Sequence, residues 1–141
     1  ALTIHLANGG FVLAAERHAN RIPVTAEQGK FGKEFKVNET TGVGGATGGV
    51  GFSPDKQQRF LYISDLTNNH IYFLDRADGK IVDRMGSMGD NGGQWYGLHM
   101  IAIDSQGNIY TGEVQNGERV QRFVPADSAR GKLLSQLAGM R

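Results

Sequence analysis

The sharpest candidate for chemistry is His99, a lone imidazole at the start of the apolar run Leu98-His99-Met100-Ile101-Ala102-Ile103. An imidazole in such a place can hold a divalent metal, zinc or calcium, if further ligands converge on it. Alone, it equally well lines a solvated channel or caps a turn. Just before it, Trp95-Tyr96 could form an aromatic platform for a ligand or pack between neighbouring units. Arg17 carries a planar guanidinium able to grip a carboxylate through two parallel hydrogen bonds, or to pair at the surface with Glu16. Three acids, Glu16, Asp65 and Glu113, invite a catalytic reading, but each ends an apolar run and precedes a polar link. Recurrence at equivalent places points instead to acceptors for turn amides. His5 sits within a strand-like run, and His18 and His70 fall in or after polar links.

These residues stand in a chain whose elements repeat. LTIHLA, the turn Asn8-Gly9-Gly10, FVLAAE, a polar link, RIPV and KFGKEFKV read as four strands at hairpin spacing. Pro23 has no amide donor, so its strand should be near an edge or have its donor side turned outward at that point. The glycine-rich run 41–51 reads as flexible punctuation. VGFSPD, FLYISD, HIYFLD and KIVDRMG form a second unit; HMIAID, NIYTGE, RVQRFV and GKLLSQL form a third. The last of these, within 126–139, could be a short helix instead of a link and strand. Phe11, Leu61 and Ile109 open corresponding second strands, 50 and 48 residues apart. A four-stranded repeat of this length is the signature of propeller blades, and the expected blades are roughly 1–40, 46–86 and 95–139 of a single segment, 1–141.

Composition excludes several classes. With 15 Lys+Arg against 14 Asp+Glu the net charge is +1, and no basic cluster advertises a nucleic acid. The absence of cysteine removes disulfides, thiolate metal sites and cysteine nucleophiles together. No apolar run approaches the ~18 residues of a membrane span. The 21 glycines suit a turn-rich all-β chain. They form no phosphate loop, because a strand instead of a helix follows the run at 41–51.

The stretch GSMGDNGGQWYGLHMIAIDSQGNIYTGEVQNGERVQRF (86–123) resembles an NHL repeat, more weakly echoed in 48–85 and 1–37. The resemblance implies an all-β propeller in which three four-stranded blades are half of a six-bladed ring. The other half would come from a longer chain, the favoured expectation, or from a homodimer mate. Among NHL propellers, residues 97–113 are similar to a zinc-binding blade of peptidyl-amidoglycolate lyases, with His99 on the metal histidine; Leu98 and Met100 replace the family's flanking Pro and Asp. Ala15-Glu16-Arg17 is similar to an earlier blade, with Arg17 on an arginine near the substrate.

The leading expectation is therefore a metal-dependent lyase- or hydrolase-like propeller enzyme, acting on a small or peptide-derived substrate at the axis. The alternative is a non-catalytic propeller that binds a protein, peptide or glycan through rim loops that include Trp95 and Tyr96. Similar propellers are often exported, which favours a periplasmic or extracellular site.

Overall fold

The computed structural model describes residues 3–140. Ala1, Leu2 and Arg141, included in the expected span, lie outside the described residues. Three antiparallel sheets follow one another along the chain. The first holds β1 (Ile4–Ala7), β2 (Phe11–Ala14), β3 (Arg21–Ala26) and β4 (Phe31–Lys36). The second holds β5 (Val50–Phe52), β6 (Phe60–Asp65), β7 (His70–Asp75) and β8 (Ile81–Met85). A short parallel pair, β9 (Ser87–Met88) and β10 (Gln94–Trp95), leads into the third sheet of β11 (Leu98–Ile103), β12 (Ile109–Glu113) and β13 (Val120–Phe123). A helix, α1 (Ala129–Gly139), ends the described chain.

Each sheet is a simple meander because its connections are turns. Gly9 and Gly10 supply the positive φ values (93° and 76°) of the first hairpin, where side chains with a Cβ would be strained. In the third sheet Asp104 Oδ1 accepts the amides of Gln106 and Asn108 and closes the β11–β12 turn.

Alternation of side chains gives every sheet two buried faces to fill. Leu13, Ala15, Ile22, Val24 and Phe35 of the first sheet pack on Val50, Leu61, Ile63 and Leu74 of the second. The other side of the second sheet, with Tyr62, Ile71 and Phe73, packs on Trp95, Leu98, Ile101 and Phe123 of the third. The sheets thus stack as successive blades, with the first strands β1, β5 and β11 innermost and adjacent. The inner strands start on the face that carries the polar links, here the link face. The opposite face carries the first hairpin turns and is the turn face.

Three expectations change. The run 41–51 is packed, not flexible: residues 45–51 are buried. A Cβ on Gly45 would lie 1.8 Å from the Arg17 carbonyl oxygen, one on Gly48 2.6 Å from the His99 carbonyl oxygen, and one on Gly51 2.1 Å from Ile103 Cδ1. Glycine is there because β5 is squeezed between its neighbours. GKLLSQL is helical, so the third sheet has three strands among the described residues instead of four. Ser128 caps the helix, its Oγ accepting the Gly131 amide at 3.0 Å, and good helix formers follow. Pro23 lies in an interior strand, and the β2–β3 ladder stops at Leu13↔Val24, one residue short of the missing donor. Alignment on the three acids also replaces Phe11 by Val12 as the partner of Leu61 and Ile109.

Candidate functional site

The polar links on the link face are built by the recurring acids. Glu16 Oε2 accepts from Arg21 Nε at 2.6 Å, and Glu113 Oε2 accepts from Arg119 Nε at 2.6 Å. Asp65 Oδ1 accepts the amides of Thr67 and Asn68 at 3.0 and 2.9 Å. Only Asp65 accepts amides of its own link, as expected from the recurrence; Glu16 and Glu113 instead pair with the arginine that follows their links, and Glu113 also accepts the Tyr96 amide. Burial raises the Asp65 carboxyl above its ordinary range, against the pull of those amides. For Glu113, burial also works to raise the carboxyl, but Arg119, the Tyr96 amide and Gln121 outweigh it and hold it low.

Blades are joined on this face by asparagines in the left-handed region. Asn20 (φ 52°) accepts the Ala46 amide on Oδ1 at 2.6 Å. Asn69 (φ 57°) accepts the amides of Gly97 and Leu98 at 2.8 and 3.2 Å. Each asparagine therefore anchors the start of the next blade's inner strand.

Asn69 thereby positions His99. The β11–β12 ladder pairs Leu98 with Glu113 and Met100 with Gly112, leaving His99 as the extra residue of a β-bulge. Bulges re-aim side chains and gather beside functional sites. The His99 carbonyl accepts from Ser64 Oγ at 2.8 Å, while its half-buried imidazole has no hydrogen-bond partner among the described residues. No three His, Cys, Asp or Glu side chains stand together as a metal site among the described residues. The described chain therefore does not by itself fit a zinc or calcium ion.

Arg17 opens a single 3-10 turn, Arg17–Ala19, between β2 and β3. Its Nη2 lies 3.2 Å from His18 Nε2, and because arginine only donates, that ring nitrogen accepts. Its Nε is buried with no hydrogen-bond partner among the described residues. The glycine run ties this turn to His99: Gly45 sits against the Arg17 carbonyl and Gly48 against that of His99. Three residues of chain span at most about 11 Å, so the two main chains share one small region of the link face.

Trp95 and Tyr96 part company. Trp95 is fully buried, donates from Nε1 to Thr111 Oγ1 at 3.0 Å, and stacks at a tilt on Phe123. This is the packing alternative; no face of the indole is open to a ligand. Tyr96 is half-buried and lines a cavity of about 310 Å³ with Val43, Thr67, Met88, Gln115 and Asn116. The last five were not singled out by sequence. The left-handed Gln115 (φ 57°) has no signature in composition.

His5 faces the second blade, edge-on to Phe52 with centroids 6.2 Å apart, and burial lowers its pKa. His70 Nδ1 bonds to the Gly86 carbonyl oxygen at 2.8 Å. Neither reaches the Arg17–His99 region through any contact recorded among the described residues.

No protein-family model matches the chain, and no curated protein matches it either. Solved structures do. Hydrazine synthase of Kuenenia stuttgartiensis superposes with a TM-score of 0.62 at 15% identity, over 79% of this chain and 28% of that one. Virginiamycin B lyase from Staphylococcus aureus gives 0.58 at 17% identity, over 89% and 41%. The β-propeller domain of Cps50 (Swd1) from Myceliophteria thermophila gives 0.56 at 11% identity, over 92% and 41%. The chain spans well under half the length of each. At these identities the likeness carries the fold alone: the described chain is an all-β partial propeller of three blades, with no helix long and apolar enough to cross a membrane.

Proposed function

We propose that this chain is half of an NHL-type propeller, completed by further blades of a longer chain or by a second copy, and that its link face binds a small or peptide-derived ligand bearing a carboxylate. The observation that carries the reading is the Arg17 guanidinium: its Nε–H is buried and unpaired among the described residues, on a turn whose main chain packs against the glycine run that reaches His99. A buried unpaired donor on a permanent cation is expensive, and an anionic acceptor relieves it. Tyr96, Gln115 and Asn116 supply an aromatic and amide wall on the same face, suited to peptide or glycan groups.

The test is titration with a short peptide ending in a free carboxylate, alongside the same peptide amidated. Preference for the acid, lost about tenfold or more in Arg17→Gln, supports the reading. Equal binding of acid and amide overturns it.

A second reading adds a divalent metal, zinc or calcium, with His99 as one ligand and the missing blades supplying the others; the reaction would then be of the lyase or hydrolase class. The bulge at His99 and its unpaired imidazole favour it. Metal bound stoichiometrically to the completed ring and lost in His99→Ala supports this reading. A metal-free ring sinks it without touching the carboxylate site.

A further inference from the structure

A cavity of about 540 Å³ lies on the turn face between the first two blades, away from the Arg17–His99 region. Its volume is that of a small-molecule site. Leu13, Val24 and Phe35 form a buried apolar floor, and Phe11 a partly exposed wall.

Comparison of adjacent blades shows why it is open. Aligned on the acids Glu16 and Asp65, Leu13 corresponds to Tyr62; aligned on the bases Arg21 and His70, Val24 corresponds to Phe73. Leu13 pairs with Val24 across β2–β3 just as Tyr62 pairs with Phe73 across β6–β7. In the second blade that pair is edge-to-face at 4.9 Å and fills the interface with the third. In the first blade two smaller aliphatic side chains take its place, and the missing volume is the cavity.

The walls are fixed before any ligand arrives. Lys33 Nζ donates to the Ala77 carbonyl at 2.7 Å, and Arg76 donates to the carbonyls of Gln57 at 3.0 Å and Asn8 at 2.5 Å, so both cations bridge the two blades. Asp75 Oδ1 accepts the Ala77 amide, and Asp55 accepts from Ser53 and the Arg59 amide. Arg59 is different. Its guanidinium is 68% exposed, stacks on Phe60, and makes only a 3.8 Å approach to Asp75. It keeps free donors at the rim.

We propose that this cavity binds an amphipathic organic acid, its aromatic or branched apolar tail against Leu13, Val24, Phe11 and Phe35 and its carboxylate on Arg59. The site is independent of the one on the link face. The apolar floor admits one ring, and the three cations Lys33, Arg59 and Arg76 against the two acids Asp55 and Asp75 leave one positive charge for a single carboxylate.

The test is a titration of the full chain with 3-phenylpropionate and with its neutral amide, followed by amide chemical shifts. Saturable shifts at Phe11, Phe35 and Ala77 are expected. Arg59→Gln should weaken the acid about tenfold and leave the amide unchanged. The double variant Leu13→Tyr, Val24→Phe restores the aromatic pair of the second blade and should abolish binding of both. Ala77→Trp, at an exposed rim position, closes the mouth without touching the floor and should do the same. No saturable shift at millimolar ligand, shifts confined to other surfaces, or binding unchanged in both occluding variants overturns the proposal. Arg17→Gln should leave this binding intact, which separates it from failure of the link-face reading.

Discussion

Replacing Asn69 tests whether the asparagine anchors hold the blades in register. Its Oδ1 accepts two amides, Gly97 at 2.8 Å and Leu98 at 3.2 Å, and all three residues are buried. Removing the acceptor strands two donors that water does not reach. An unsatisfied buried donor costs about 1–3 kcal/mol; because the longer bond is the weaker, the pair together should cost about 2–4 kcal/mol. Asn69→Ala adds a second penalty, since φ of 57° is left-handed and an alanine there is strained by roughly 1 kcal/mol. Asn69→Gly removes the acceptor but not the conformational freedom. The expected order of stability is therefore wild type, then glycine, then alanine. With a urea slope of about 2 kcal/mol/M, the glycine variant should lose roughly 1–2 M in its midpoint. Amide exchange at Gly97 and Leu98 should quicken in both variants. Asn116→Ala, at an exposed position in the third link, is the control and should stay within about 0.5 kcal/mol. A glycine variant as stable as wild type would refute the anchor, whatever the alanine variant does.

Gly45→Ala should destabilise by about 3 kcal/mol or more, seen as a large fall in melting temperature, because its Cβ meets main chain at 1.8 Å with φ of 70°. Glu113, held below its ordinary range, stabilises the fold fully above about pH 4.3 and loses that contribution as pH falls through its lower folded value. Glu113→Gln should thus flatten the acid limb of the urea midpoint against pH; an unchanged limb would show the carboxylate is not responsible. In the third link Gln115 (φ 57°) and Glu118 (φ 43°) are both left-handed, and it is Glu118, next to Arg119, that stands where Asn20 and Asn69 stand in the earlier links. Glu118→Ala should leave the chain's own urea midpoint within about 0.5 kcal/mol, since the residue is exposed, but weaken association with a following blade, read by sedimentation.

The blades were legible because turn residues and strand periods are local. Asn8-Gly9-Gly10 and the recurring acids each act within a few residues, and each appears in the structure where its spacing places it. What escaped was decided by approach between distant segments. The run 41–51 has the composition of a linker, yet its glycines answer to Arg17, His99, Ile101 and Ile103, which the sequence cannot set beside them. GKLLSQL fits a strand or a helix by periodicity, and the Ser128 cap decided it. Trp95-Tyr96 was ambiguous for the same reason: the partners that separate the two rings are distant in sequence, Thr111 and Phe123 holding Trp95 in the blade interface while Tyr96, past the end of β10, lines a cavity wall.

The open sides of the stack carry the same argument outward. On the first blade, Ile4 and Leu6 are exposed beside Val12, and outside them Arg21 pairs with Glu16 and Glu34. On the third, Met100 and Val120 are exposed across Gly112. An apolar inner row with an ion-paired margin is the pattern of an interface core and its rim. Exposed to water, such faces and the free edge of β13 would invite aggregation. A neighbouring blade is what these faces fit, and it would bring its own inner strand to the axis beside β1 or β11. A metal site at His99, as proposed above, would need ligands from that strand, because no three His, Cys, Asp or Glu side chains stand together among the described residues. Arg17 differs in this respect. Its turn is packed by Gly45 of the same chain, so the proposed carboxylate site would not wait for further blades, whereas the proposed metal site would.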